Sequence, residues 1–127
     1  MTGVMTWGGI SARRQGSAAE VRALRHLRWR AWRICALNWV GGGGELDLVA
    51  TRWRTLLIVE VRSRPTLAEA FASIDRAKLD RTLRAAAALV RSHRLQAYRL
   101  RVDAIAYDAR GRMERRCDLL RVGQPGW

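Results

Sequence analysis

Hydrophobic and polar positions follow two rhythms along this chain, and each predicts an element. Ser17-Ala18-Ala19-Glu20 has the form of a capping box. Val21, Leu24, Leu27 and Ala31 then recur on one helical face, so a helix is expected over 17–31. From Trp32 to Val40 the apolar positions run as in a buried strand, and four consecutive glycines, Gly41 to Gly44, form a turn permissive of any backbone dihedral or a flap over a substrate. Two further strands follow, over 45–52 and 55–64. They lie too close for a crossover and must form an antiparallel hairpin, which Pro65 ends. Residues 66–73 read as a loop or a short helical turn. Asp75 caps a long helix to about residue 94, with Leu79, Leu83, Ala86, Ala87 and Val90 on its buried face. A strand over 98–107, a turn at 108–111 and a strand over 115–122 complete the order α-β-β-β-α-β-β.

That order predicts an α/β domain over 17–122, a mixed sheet flanked by helices, with a tail at 1–16 and another at 123–127. The third strand, the long helix and the fourth strand form a crossover that sets two strands parallel. There are no internal repeats and no second domain.

Charge narrows the partner class. The 127 residues carry 24 Lys and Arg against 11 Asp and Glu, a net charge of +13, and Lys78 is the only lysine. Arginine makes bidentate contacts with phosphate, and a domain this basic most often meets nucleic acid. An Arg-rich proteome from a GC-rich genome explains part of the same excess. Two cysteines, Cys35 and Cys117, form neither a disulfide framework nor a metal spacing, and are expected as packed thiols. No signal-peptide pattern opens the chain and no apolar run is long enough to span a bilayer. A soluble, cytoplasmic protein without a membrane partner is expected.

The candidate chemistry lies in the hairpin. Glu45-Leu46-Asp47-Leu48-Val49-Ala50 and Leu56-Leu57-Ile58-Val59-Glu60-Val61-Arg62 are apolar strands that carry acids, and buried strands rarely carry unpaired ones. If Trp53-Arg54 is a two-residue turn, Arg52 pairs with Thr55 and Asp47 falls opposite Glu60. Carboxylates so paired repel unless a cation lies between them, and Mg²⁺ or Mn²⁺ takes oxygen ligands. Glu60 and Arg62 share a face; the alternative for them is a neutralising ion pair on a solvated surface. The capping box by itself explains Glu20, yet Glu20 also ends the helix stripe that faces the sheet, where it would complete a metal shell. Lys78, in the first turn of the long helix, reads either as a phosphate contact or as a solvated lysine. Asp103 is another acid inside a strand, which reads either as a partner of Arg101 or another Arg or as a support behind the site acids. His26 and His93 have no metal-ligand spacing. Trp39 and Trp53 read as packing residues, with base stacking as the alternative.

Together these residues resemble a known set. Glu20 on the first helix, Asn38 before the glycines, Gly44-Glu45-Leu46-Asp47-Leu48-Val49-Ala50, Ile58-Val59-Glu60-Val61-Arg62-Ser63-Arg64, Lys78 and Arg101-Val102-Asp103 occur in the order found in the YraN-like bacterial family. The resemblance runs from about Gly16 to Leu120. It implies the fold of restriction endonucleases and archaeal Holliday-junction resolvases. It also implies metal-site acids at Glu20, Asp47 and Glu60, with Arg62 in the Lys position of the PD-(D/E)xK signature. The function so implied is Mg²⁺- or Mn²⁺-dependent hydrolysis of DNA, branched or processed structures included, with Lys78, Arg62 and Arg64 on the backbone. A homodimer is implied too, since junction-cleaving relatives of the fold act as dimers. Arg62 departs from the signature, because an arginine does not give up its proton. The departure favours an alternative, a nuclease-fold module that binds nucleic acid with little or no catalysis. A third reading makes the acids structural partners of arginines.

Overall fold

The computed structural model describes residues 17–120. The elements are α1 (Ala18–Trp29), β1 (Arg33–Gly41), β2 (Gly44–Arg52), β3 (Thr55–Ser63), α2 (Leu67–Ala72), α3 (Arg76–His93), β4 (Arg99–Tyr107) and β5 (Met113–Arg116). They build one five-stranded mixed sheet, ordered β1-β2-β3-β4-β5. β1–β2–β3 is an antiparallel meander, β3 and β4 are parallel across the helical crossover, and β5 returns antiparallel.

The expected mixed sheet flanked by helices is therefore present, with corrections of detail. Of the loop or short helical turn expected at 66–73, the helical alternative forms as α2, capped where the Thr66 hydroxyl accepts the Glu69 N–H. α1 ends at Trp29, and Ala31, at φ +67°, lies exposed beyond it; Val21 is also exposed, and Ala23 with Leu27 forms the buried face instead. On α3, Ala87 is exposed and Ala85, Ala86 and Leu89 are buried. The fifth strand lies earlier and is shorter than expected, and Cys117, beyond it, is exposed rather than packed. The expected tails at 1–16 and 123–127, and residues 121 and 122, lie outside the described residues.

Alternation along β3 explains the two layers. Leu57, Val59 and Val61 pack with Ala23 and Leu27 of α1, while Leu56 and Ile58 pack with Ala85, Ala86 and Leu89 of α3. Each fully buried aliphatic side chain contributes roughly 1.5–3 kcal/mol, so the sheet is the stable frame on which the polar residues are held. α2 adds Phe71 against Ala104 and Ala106.

The glycine run is a clamped turn, not a flap. Gly41 pairs with Gly44, and Gly42 and Gly43 take φ of +60° and +81°. A Cβ on Gly42 would lie 2.7 Å from the Arg84 carbonyl oxygen, and one on Gly44 would lie 2.8 Å from that of Arg81. The hairpin thus rests directly on the backbone of α3. Trp39 is buried in the α3-side core, whereas Trp53, at the tip of the β2–β3 turn, is exposed.

Candidate active site

The two-residue turn at Trp53-Arg54 sets the register that brings the acids together. Arg52 pairs with Thr55, and the pairing runs unbroken to Leu48 and Val59. Asp47 and Glu60 are the next residue on each strand, where the paired register ends. Here Asp47 Oδ2 accepts the Val61 N–H at 2.9 Å, so a side chain rather than a main-chain carbonyl bridges the strands.

A break in β1 prepares that rung. The pairs Leu37–Leu48 and Trp39–Leu46 flank a rung on which Asn38 stands opposite Asp47. On a regular strand Leu37 and Trp39 would share a face, and so would Leu46 and Leu48. Instead Leu37 and Leu48 belong to the α1-side core, and Trp39 and Leu46 to the α3-side core. The pleat thus breaks at one rung in both strands. Asn38 takes the strained φ of +51° there, a conformation Asn tolerates better than most residues. Its side chain is 1% exposed, and neither amide atom has a hydrogen-bond partner. Strain and an orphaned amide at one buried position are both costly, and such costs concentrate at functional sites.

The electrostatics are equally uneconomical for a purely structural cluster. Burial pushes the Asp47 carboxyl up to about 7; the neighbouring Glu60 and, more weakly, Glu20 add to the rise, against the Val61 hydrogen bond and Arg62. Glu60 is fully buried, and neither carboxylate oxygen receives a hydrogen bond. Its cations stand off: Lys78 Nζ lies 3.4 Å and Arg62 Nη2 3.8 Å from Oε1. A buried carboxylate gains most from short, charge-assisted hydrogen bonds, and these two contacts are long.

Lys78 is therefore an ion-pair partner of the buried Glu60 and not a solvated surface lysine. Asp75 caps α3 by accepting the Lys78 N–H, which fixes the first turn and aims the side chain at β3. Arg62 is half-buried, with its Nε unpaired. Arg64 lies exposed at the end of β3, bonded to the Ser63 carbonyl. Glu20 serves the capping box: it accepts the Ser17 N–H at 3.0 Å and its own N–H meets the Ser17 hydroxyl at 3.1 Å. Among the described residues no three His, Cys, Asp or Glu side chains gather at metal-ligating spacing, so Glu20 reaches Asp47 through its charge.

Asp103 is set apart from these acids by its partners. Arg101 binds it with two hydrogen bonds of 3.0 Å, Arg115 adds bonds of 3.1 and 2.8 Å, and the Asp118 N–H donates at 2.8 Å. Burial raises its pKa, but these donors outweigh burial and hold the carboxyl below its ordinary value. Asp103 shows what a satisfied buried acid looks like in this protein, and Glu60 lacks that arrangement.

Comparison with known proteins adds the family. A model of the uncharacterised protein family UPF0102 matches residues 19–107. The chain belongs to the UPF0102 family. A UPF0102 protein of Methylorubrum populi is 42% identical over 92 residues, covering 72% of this chain and 74% of the relative. One of Pseudomonas fluorescens is 37% identical over 114 residues, covering 87% and 93%. The matched segment contains every element from α1 to β4 and all the residues of the Asp47–Glu60 site. No described helix is long and apolar enough to cross a membrane.

Proposed function

We propose that this UPF0102 protein is a divalent-metal-dependent nuclease of the restriction-endonuclease-like, PD-(D/E)xK class, hydrolysing DNA phosphodiester bonds in the cytoplasm. The observation that carries the reading is Glu60: a fully buried carboxylate with both oxygens unbonded, on the rung of an Asp47 whose carboxyl is raised to about 7. Such a pair is expensive without a cation, and its all-oxygen donors suit Mg²⁺ or Mn²⁺. Magnesium is usually held by one or two carboxylates, with water and substrate phosphate completing its shell. Two acids therefore suffice, and the engagement of Glu20 in the helix cap is no obstacle. When bound, the ion supplies Lewis acidity to the phosphate oxygens.

The protein residues divide the remaining work. Asp47 and Glu60 would hold the ion, Asn38 would offer a neutral oxygen beside Asp47, and Glu20 would add a negative charge that reaches Asp47. Lys78 and Arg62, both beside Glu60, would meet the phosphate, where their charges would oppose the negative charge that develops as a water oxygen bonds to phosphorus and the P–O ester bond breaks, the leaving oxygen taking a proton from that water. Arg64, at the exposed strand end, grips the backbone of the DNA.

The alternative is a nuclease-fold module that binds nucleic acid without cutting it. Its support is Arg62 at the signature position, together with the two cations that already neutralise Glu60. The deciding experiment incubates labelled linear, single-stranded, flapped and four-way-junction DNA with Mg²⁺ or Mn²⁺. Wild type is compared with Asp47→Asn and Glu60→Gln. Cutting by wild type alone, abolished by chelator, supports the nuclease. Equal binding by all three proteins with no cutting supports the module. Light scattering during gel filtration tests the homodimer that the family resemblance implies.

A further inference from the structure

α1 presents a second basic surface that the acids do not use. Arg22, Arg25 and Trp29 recur at three- and four-residue spacing on one face of the helix, and Arg30 follows at its C-cap. With Tyr107 at the end of β4 they border an open pocket of about 420 Å³. No carboxylate lines it, and among the described residues Arg22, Arg25 and Arg30 have no carboxylate partner within ion-pair distance. Like charges three or four residues apart on a helix repel one another. A face built only for solvation would interleave acids, as α3 does with Arg76 and Asp80.

One exposed aromatic residue, set beside a buried tyrosine, separates this stripe from a plain charged face. Trp29 is 88% exposed, an indole left in water between arginines. The Tyr107 ring carries the Arg22 guanidinium 4.4 Å from its centroid, and the Tyr107 hydroxyl is buried without a hydrogen-bond partner. Guanidinium groups alternating with an open aromatic face are the complement of a polynucleotide whose bases are unpaired: phosphates meet the cations and a base stacks on the indole. A duplex keeps its base faces inside the stack and has none to offer Trp29. Position points the same way. The stripe begins two residues after Glu20, whose charge reaches Asp47, and it runs from there along α1.

We infer that the α1 groove bordered by Arg22, Arg25, Trp29, Arg30 and Tyr107 is a single-strand track, holding the unpaired segment of a nucleic acid whose adjoining phosphodiester lies at the Asp47–Glu60 site. The track rests on the nucleic-acid reading above and names its substrate class, a DNA with an unpaired arm beside the scissile bond.

The test is fluorescence anisotropy in EDTA, so that no cleavage intrudes, with a labelled oligothymidine and a blunt hairpin duplex of equal length. Trp29→Ala should weaken single-strand binding roughly 5- to 100-fold, the range for loss of one stacked base. Duplex binding should stay within about twofold, and Trp29→Phe should restore most of the loss. Arg25→Ala with Arg30→Ala should lower the salt slope for the single strand by about 1.4, at ~0.7 per phosphate contact. An unchanged single-strand affinity in Trp29→Ala, or equal weakening on both DNAs, overturns the track. Thermal melting checks that the variants fold, as expected of substitutions at exposed positions. The outcomes separate the two readings. A wild type that cuts DNA while Trp29→Ala binds single strands normally removes the track and leaves the nuclease. A Trp29-dependent track on a protein that cuts nothing does the reverse.

Discussion

Asp47→Asn should make the metal-free protein more stable at pH 8, even though it removes a residue central to the proposed chemistry. The Asp47 carboxyl rises from an ordinary 3.8 to about 7, first through burial and then through Glu60. Between those values the folded state binds a proton that the unfolded state has already released. The stability associated with this group is fully present below about pH 4 and is lost as pH rises through about 7. A shift of about three units corresponds to roughly 4 kcal/mol at alkaline pH. Asparagine removes the charge but keeps an oxygen to accept the Val61 N–H. The variant should therefore match wild type near pH 4 and exceed it by up to about 4 kcal/mol at pH 8. Urea denaturation in EDTA at pH 4.5, 6 and 8 (chosen to bracket the window) measures both proteins, and their difference cancels the titrations of groups that do not interact with Asp47. Mg²⁺ at ten times its dissociation constant should then return about 1.4 kcal/mol to wild type and nothing to the variant. A difference independent of pH, or a variant less stable than wild type at pH 8, refutes the reasoning that Asp47 is a strained acid awaiting a cation.

Three further outcomes follow from the same geometry. Asn38→Gly relieves both the left-handed strain and the orphaned amide, so thermal melting should show a gain of about 1 kcal/mol while metal-dependent cleavage falls. Asp103→Ala leaves Arg101 and Arg115 without their shared acid and should cost about 3–5 kcal/mol in urea denaturation. Because the Asp103 carboxyl is held low, its contribution to wild type should be intact above about pH 4 and lost as the solution is acidified through its depressed pKa. Gly42→Ala places a Cβ against the Arg84 carbonyl oxygen at φ +60° and should lower stability by about 1–3 kcal/mol, read as a lower melting temperature.

The acids were legible in the sequence because a two-residue turn and a period of two leave little freedom. Counting from the Arg52–Thr55 pair along both strands brings Asp47 and Glu60 to the end of the paired register, each one residue beyond the Leu48–Val59 pair. Caps were legible for the same local reason: Ser17 and Asp75 each bond an N–H three residues on. Long-range or dihedral features were not. The role of Asn38 depends on a positive φ that breaks the pleat in two strands at once, and hydrophobic alternation carries no record of it; the signal available was an Asn ahead of the glycines. The reach of Lys78 to Glu60 depends on how α3 crosses the sheet, so its charge alone left it between a site and solvent. The fifth strand was placed too late because Leu119 and Leu120 read as strand residues, whereas they pack against the α3-side core from a turn after β5. The α1 stripe was visible only as excess arginine. Its meaning depends on Trp29 being exposed and on Tyr107, 78 positions later, standing beside it.

Binding of Mn²⁺ is the measurement that reaches the central claim without a substrate. Electron paramagnetic resonance, which follows the free ion, should show wild type taking up Mn²⁺ at pH 8, with the uptake displaced by excess Mg²⁺. Asp47→Asn and Glu60→Gln should each abolish that uptake while remaining folded. If the ion binds equally well to all three proteins, or to none of them, the Asp47–Glu60 rung is not a cation site, and the nuclease reading built on it is contradicted.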